Sequence, residues 1–195
     1  MSTGTHKPAR RVRADARRSV VAIIDAAREV FAESGADAPV REIVRRAGVG
    51  AATFYRHFPE RSDLVTAVFR DDVDACADTA ATLAAELPPL DALAGWLRRL
   101  ATFVDGRRGL AAAVHSGNLA LDPLPAYFRE RFEPALAELL DSAAEAGEIR
   151  GDIRAGELLG AVKRLCSAGA ADTNDRMVGL LVDGLRFGTG AHATS

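Results

Sequence analysis

Cysteine is nearly absent: Cys76 and Cys166 are the only two in 195 residues. Both stand in apolar stretches with helical spacing, where two reduced, packed thiols are expected instead of a disulfide or a metal site. That usage points to the cytoplasm. No apolar run approaches the roughly 18 residues that a membrane span needs. The basic N-terminus is not followed by an apolar block or a cleavage site, so no export and no membrane partner are expected. A strand pattern and an internal repeat are missing too, and the expected fold class is all-α. Catalytic signatures are equally scarce: there is no Gly-rich phosphate loop, no Cys-x-x-Cys, no His-Glu-x-x-His and no Glu-x-x-His pair of a di-iron bundle. His115 and Ser116 are adjacent, which rarely gives a triad its convergent geometry. Neither an enzyme nor a cofactor is expected.

What is present is a chain able to bury a core, with 48% hydrophobic and 27% charged residues. The net charge of −2 conceals an asymmetry. Residues 1–70 carry 13 Lys+Arg against 8 Asp+Glu, and residues 71–195 carry 12 against 19. The basic first third supplies the local footprint that phosphate binding requires.

Along the chain, residues 1–16 are polar and basic and read as a flexible arm containing Arg10, Arg11 and Arg13. From Arg17 the apolar residues Val20, Ile23, Ile24, Ala27, Val30 and Phe31 keep helical spacing up to Gly35. A second helix opens at Pro39 and buries Val40, Ile43, Val44 and Ala47 before Gly48 ends it. Gly50 to Phe58 is too short to be stable alone and must be held by Phe54 and Phe58. Pro59 and Glu60 open a long helix reaching about Glu86, stopped by Pro88 and Pro89. Further helices are expected at Leu90–Val104, Arg108–Ser116, Leu124–Ala146, Ala155–Ala170 and Asn174–Phe187. Breakers separate them at Asp105-Gly106, Gly117 with Pro123 and Pro125, Gly147 to Asp152, and Asp172-Thr173. Pro134 predicts a kink or a break within Leu124–Ala146.

The segment Val40 to Phe58 has the layout of a helix-turn-helix DNA reader: a helix, a turn at Ala47-Gly48-Val49, and a second short helix ending Thr53-Phe54-Tyr55-Arg56-His57-Phe58. From Ser19 to Phe69 the chain resembles the N-terminal domain of the TetR family of transcriptional regulators. The residues carrying this are Ile24-Asp25-Ala26-Ala27-Arg28-Glu29-Val30-Phe31-Ala32-Glu33-Ser34-Gly35, the run from Val40 to Gly50, Thr53 to Phe58, and Arg61-Ser62-Asp63-Leu64-Val65. Three positions depart from the usual pattern: Pro39 for a capping threonine, Gly50 for serine and Ala52 for glycine. They touch base choice more than fold.

The resemblance implies a helix-turn-helix domain at 17–62, a helical regulatory and dimerisation domain at 63–188 and a flexible tail at 189–195. It implies a homodimeric regulator, in the usual family outcome a repressor, bound to double-stranded DNA at a palindromic operator. It carries Gly50, Ala51, Thr53, Tyr55, Arg56 and His57 over as the groove-facing set, with local packing the alternative for Tyr55 and His57. Arg41 is the expected base contact, able to pair bidentately with guanine. Arg45 and Arg46 read as a solvated face on which one side chain touches phosphate. Arg61 is expected to meet a phosphate at the start of the long helix, and Arg10, Arg11 and Arg13 to follow phosphates or enter a minor groove.

In the second domain, Leu158, Leu159, Val162, Leu165, Met177, Leu180, Leu181 and Leu185 form stripes that fit either a dimer seam or the chain's own core; the resemblance favours the seam. Trp96, Phe103, His115, Asn118, Tyr127 and Phe128 have the composition of a pocket for a small apolar or amphipathic ligand, and equally that of a core. Control by a protein partner, or without any ligand, stays open.

Overall fold

The computed structural model describes residues 7–106, 121, 123–166 and 171–186, and among these it contains eight helices and no strand. They are α1 (Lys7–Ser34), α2 (Val40–Ala47), α3 (Ala51–His57), α4 (Arg61–Glu86), α5 (Pro89–Gly106), α6 (Leu124–Glu145), α7 (Ala155–Cys166) and α8 (Ala171–Arg186). The expected helix Arg108–Ser116, with His115 and Asn118, and the tail at 189–195 lie outside the described residues.

Helix α1 begins at Lys7, ten residues before the apolar periodicity does. Residues 7–16, expected as part of a mobile arm, are therefore helical. Pro8 sits in the first turn, where its missing N–H costs nothing, and no breaker follows it. A helix anchored by its apolar half extends through polar residues without paying for a new nucleus. The Arg18–Asp15 ion pair and the Ser19 hydroxyl, 3.1 Å from the Asp15 carbonyl, join this extension to the apolar half. Gly35 closes the helix in the left-handed region at φ 78°, its N–H donating to the Phe31 carbonyl at 2.9 Å.

Two apolar clusters organise the described residues. The smaller joins Ile23, Ala27 and Val30 of α1 to Ile43, Phe54, Phe58, Leu64 and Val68. The larger runs from Val65, Phe69 and Val73 of α4 through Trp96, Leu97 and Leu100 to Phe132, Leu136, Leu159, Val162 and Val178. Helix α4 belongs to both, because Leu64 and Val68 face one cluster while Val65, Phe69 and Val73 face the other. Its 26 residues span about 39 Å at roughly 1.5 Å each. It starts at a capping box in which Glu60 is the N-cap and the Asp63 carboxylate accepts the Glu60 N–H at 2.9 Å.

A polar lock adds to this shared wall. Arg28 of α1 donates to Asp72 at 2.5 Å and Asp25 at 2.7 Å, and also pairs with Asp71. Partial burial works against its charge, yet the hydrogen bonds to Asp72 and Asp25 outweigh it and hold its pKa above the ordinary arginine value. Asp72 is buried, so this partner keeps a carboxylate tolerable within the α1–α4 contact.

The second half departs from expectation in detail. Helix α5 runs on to Gly106, and α8 starts at Ala171, so Asp172 and Thr173 lie inside it. Helix α6 is one element despite Pro134. Pro134 is exposed, so water can satisfy the carbonyl whose partner is lost. Cys76 and Cys166 form no disulfide, and burial raises the Cys166 thiol pKa. No described helix is long and apolar enough to cross a membrane.

Candidate nucleic-acid interface

Helix α2 ends because Gly48 takes a left-handed conformation, φ 64° and ψ 27°, which an L side chain rarely adopts. The Val49 N–H returns to the Val44 carbonyl at 3.3 Å and the chain turns. Gly50 is the extended N-cap of α3, whose first bonds run from Thr53 and Phe54 to its carbonyl. Phe54 is 1% exposed and Phe58 6%, with ring centroids 6.0 Å apart, and together they fix this seven-residue helix to α1 and α2.

Seating that face inward turns the opposite one out. Tyr55 is 55% exposed and meets Phe54 edge to face at 5.2 Å. Gly50, Ala51 and Arg56 are exposed, while Thr53 and His57 are half-buried. The Arg56 guanidinium donates to the Thr53 hydroxyl at 3.1 Å, which links two members of the expected groove-facing set.

The arginines sort by partner. Arg41 is exposed and makes no ion pair among the described residues. Arg45 donates to Glu42 at 2.5 Å. Arg46 holds Glu33 of α1 through bonds of 2.8 and 2.9 Å and approaches Glu42 at 3.3 Å. The hydrogen bond from Arg46 lowers the Glu33 pKa, and that from Arg45 lowers the Glu42 pKa. Arg46 is thus a brace between α1 and α2 and not part of a free basic face.

Arg61, the expected phosphate anchor, is engaged within the chain. Its Nε donates to the Ala36 carbonyl at 2.8 Å, and its Nη2 bonds both that carbonyl and the Ala38 carbonyl, the latter at 2.8 Å. Phe31 lies under the guanidinium at 5.9 Å. The guanidinium thus ties the start of α4 to carbonyls of the α1–α2 loop. Arg10, Arg11 and Arg13 fall on α1, and their side chains lie outside the described residues.

Of the expected pocket residues, Trp96 is fully buried, with its indole N–H donating to the Cys76 carbonyl at 3.2 Å and its ring edge-on to Phe132 at 5.6 Å. It is core. Phe103 is 7% exposed and packs against Phe69, Phe128 and Phe132. The Tyr127 hydroxyl donates to Asp74 at 2.7 Å, and Arg131 reaches the same carboxylate oxygen at 2.6 Å. Burial and the bond to Asp74 raise the Tyr127 pKa, and Arg70 stacks 4.8 Å from its ring. Tyr127 therefore ties α6 to α4. Phe128 is half-buried and faces a groove between α6 and α7.

The expected dimer stripe divides as well. Leu158, Leu159, Val162 and Leu185 are at most 5% exposed and belong to the chain's own core. Leu165 is 41% and Leu180 63% exposed, with Met177 and Leu181 partly exposed. On α8 the buried positions 174, 178, 182 and 185 alternate with an outward stripe at 177, 180 and 184, while Leu181 packs partly against the core. Sequence reading missed Arg129, Lys163 and Arg164 beside Phe128; the available signal was Gly156, Gly160, Lys163 and Arg164 on one helical face.

Residues 23–68 match bacterial regulatory proteins of the tetR family, and residues 88–187 match the C-terminal domain of SbtR-like transcriptional regulators. A TetR transcriptional regulator from Streptomyces coelicolor is 37% identical, with a TM-score of 0.70 over 86% of this chain and 98% of its own. A TetR transcription regulatory protein from Mycobacterium vanbaalenii is 36% identical, with a TM-score of 0.72 over 90% and 99%. A likeness in fold alone, 19% identical with a TM-score of 0.65 over 86% and 98%, extends to the regulator FadR from Bacillus subtilis in complex with stearoyl-CoA. No curated protein matches the chain.

Proposed function

The chain belongs to the TetR family of DNA-binding transcriptional regulators, and we propose that it is a homodimeric repressor that reads a palindromic operator and is released from it by a small apolar or amphipathic ligand. The observation that carries the DNA half is the exposed face of α3. Its large ring, Tyr55, is 55% open to solvent beside Arg56 and Thr53, on a helix whose other side is locked down by Phe54. Arg41, exposed and without an ion pair among the described residues, can pair with a guanine edge. Arg45 keeps an exposed guanidinium beside Glu42 and serves phosphate.

Two such heads on one twofold axis give the specificity that a single module lacks. A ligand acts through α4, the helix common to both cores, to the extent that it favours one head spacing over the other. The stearoyl-CoA complex of FadR supports an amphipathic ligand for this fold. A second reading, control by a protein partner or by nothing, has one observation behind it: Trp96, Phe103 and Phe132 fill the described centre of the domain.

Selection from random duplexes tests the DNA half. The expected product is a palindrome with half-sites one helical turn or a multiple apart, and Arg41→Ala should relax one base position in each half by about tenfold, within the 1–3 kcal/mol of a bidentate contact. No enrichment, or a lone half-site, overturns the reading. A thermal-shift screen against apolar and amphipathic compounds separates the two control schemes: a compound that stabilises the protein and lowers operator affinity supports the first.

A further inference from the structure

The inward stripe of α8 runs through positions 174, 178, 182 and 185, and Val178, Val182 and Leu185 fill it with apolar side chains. The remaining position is Asn174, only 3% exposed. Among the described residues neither its amide nitrogen nor its amide oxygen has a hydrogen-bond partner. Buried side-chain amides are normally paired, and an unpaired one lowers stability where an apolar residue of similar size would not. A departure from the packing pattern that nothing inside the fold compensates points to something the fold receives.

Asn174 lines a pit of about 80 Å³ between α5 and α8, together with Ala101, Arg98, Thr102, Asp105 and Asp175. Asn174 and Ala101 are buried and form the floor, whereas Arg98, Thr102 and Asp175 are exposed and form the rim. The rim is engaged with itself. Arg98 Nε donates to the Asp175 carboxylate at 3.1 Å, and the Thr102 hydroxyl donates to the Arg98 carbonyl at 3.0 Å. Asp105 has contacts of its own. The amide on the floor is the group left over.

Its two atoms select a chemical class. An ammonium carries donors alone and leaves the Asn174 N–H groups unanswered. A carboxylate carries acceptors alone, leaves the Asn174 oxygen unanswered and meets Asp105 and Asp175 besides. A neutral planar group with N–H and C=O side by side satisfies both. At roughly 30 Å³ per water, the pit has room for about two or three waters, or for one such group of a few heavy atoms.

We propose that this pit binds a small neutral amide, presenting the edge of a primary carboxamide, a urea or a lactam to Asn174, with any larger body leaving past Thr102. The site shares no chemistry with the apolar or amphipathic effector proposed above and does not rest on it.

Asn118 and Asn174 are the two asparagines of the chain, and it has no glutamine. A nitrogen-15 spectrum of the full-length protein therefore holds two side-chain carboxamide pairs, that of Asn174 being the one kept in Asn118→Asp. The test titrates the protein with acetamide and 2-pyrrolidinone, and with acetate and acetamidinium, which have the shape of acetamide but only acceptors or only donors. One or both amides should shift the Asn174 pair saturably, at a concentration at least tenfold below that needed by either ion. Thr102→Trp, on the exposed rim, should raise that concentration at least tenfold at unchanged melting temperature. Asn174→Leu should abolish amide binding, read by saturation transfer to the ligand, and should melt higher than wild type because an unpaired amide is gone. An Asn174 pair that responds to no amide, or to the ions as strongly as to the amides, overturns the proposal. So does a crystal soaked in acetamide that shows water alone in the pit. If Asn174→Leu melts lower and the wild-type pair stays unmoved, the amide is bonded within the fold and the proposal falls. A pair that shifts on dilution of the protein but with no amide would make a second copy the occupant, and overturns it as well.

Discussion

Arg61 illustrates how far a residue type can be read without its neighbours. At the start of α4 an arginine is well placed for a phosphate, yet its acceptors are the carbonyls of Ala36 and Ala38, far back in the chain. Nothing local announces that choice. Arg61→Ala should therefore lower stability by about 1–3 kcal/mol, the cost of losing charge-assisted bonds to partly buried carbonyls. It should also leave the salt dependence of operator binding unchanged. A log–log slope flatter by about 0.9, with the urea midpoint intact, would return Arg61 to the DNA. Gly48 was the opposite case, legible from its place just past Ala47. A Cβ there meets nothing within 4 Å, so only its φ of 64° opposes substitution. Gly48→Ala should cost about 1–2 kcal/mol, and Gly48→Asn distinctly less, because asparagine tolerates the left-handed region; urea denaturation of both checks the order.

Among the elements, α2 and α3 were placed almost to the residue, because short helices between strong breakers leave their periodicity little freedom. The start of α1 was not, and between a kink and a break at Pro134 in α6 the spacing does not choose. Apolar spacing reports where a helix is buried, and both the Lys7 end of α1 and the Pro134 turn are polar or exposed. The charged braces between elements were also invisible, since Glu33 and Arg46 stand thirteen residues apart and meet only once α1 and α2 have packed. They have a pH signature. The Glu33 and Glu42 carboxyls are held below the ordinary glutamate value of 4.5 by bonds from Arg46 and Arg45 respectively. Groups depressed on folding stabilise the folded state fully above the unfolded value and lose that contribution as pH falls through the folded ones. The helix-turn-helix part should thus weaken as pH drops below 4.5, and Arg46→Met should reduce that decline. Urea midpoints measured at neutral and acidic pH read the difference; an identical decline in the variant would remove the brace from the account.

For the whole molecule, the sequence stripes on α7 and α8 could not be divided between core and interface, since both require apolar residues at helical spacing. Packing divides them. Leu158, Leu159, Val162 and Leu185 are consumed inside one chain and Leu181 packs partly against the same core, whereas Met177 and Leu180 lie three residues apart on the outward face of α8, with Leu165 exposed on α7. A single chain gives Leu180, 63% exposed, no reason to be apolar, and a self-complementary partner surface supplies one. Placing carboxylates there opposes like charge to like charge across a twofold seam without disturbing the interior. Leu180→Asp with Leu165→Asp should give a monomer by light scattering that keeps its helical circular dichroism. Its affinity for a palindromic operator should fall at least 100-fold, while half-site binding changes little, because each head is intact and only their fixed spacing is lost. A variant that stays dimeric would move the seam elsewhere. One that becomes monomeric yet holds the full operator unchanged would separate DNA reading from dimerisation, and would remove the mechanical link through α4 on which the proposed release by a ligand depends.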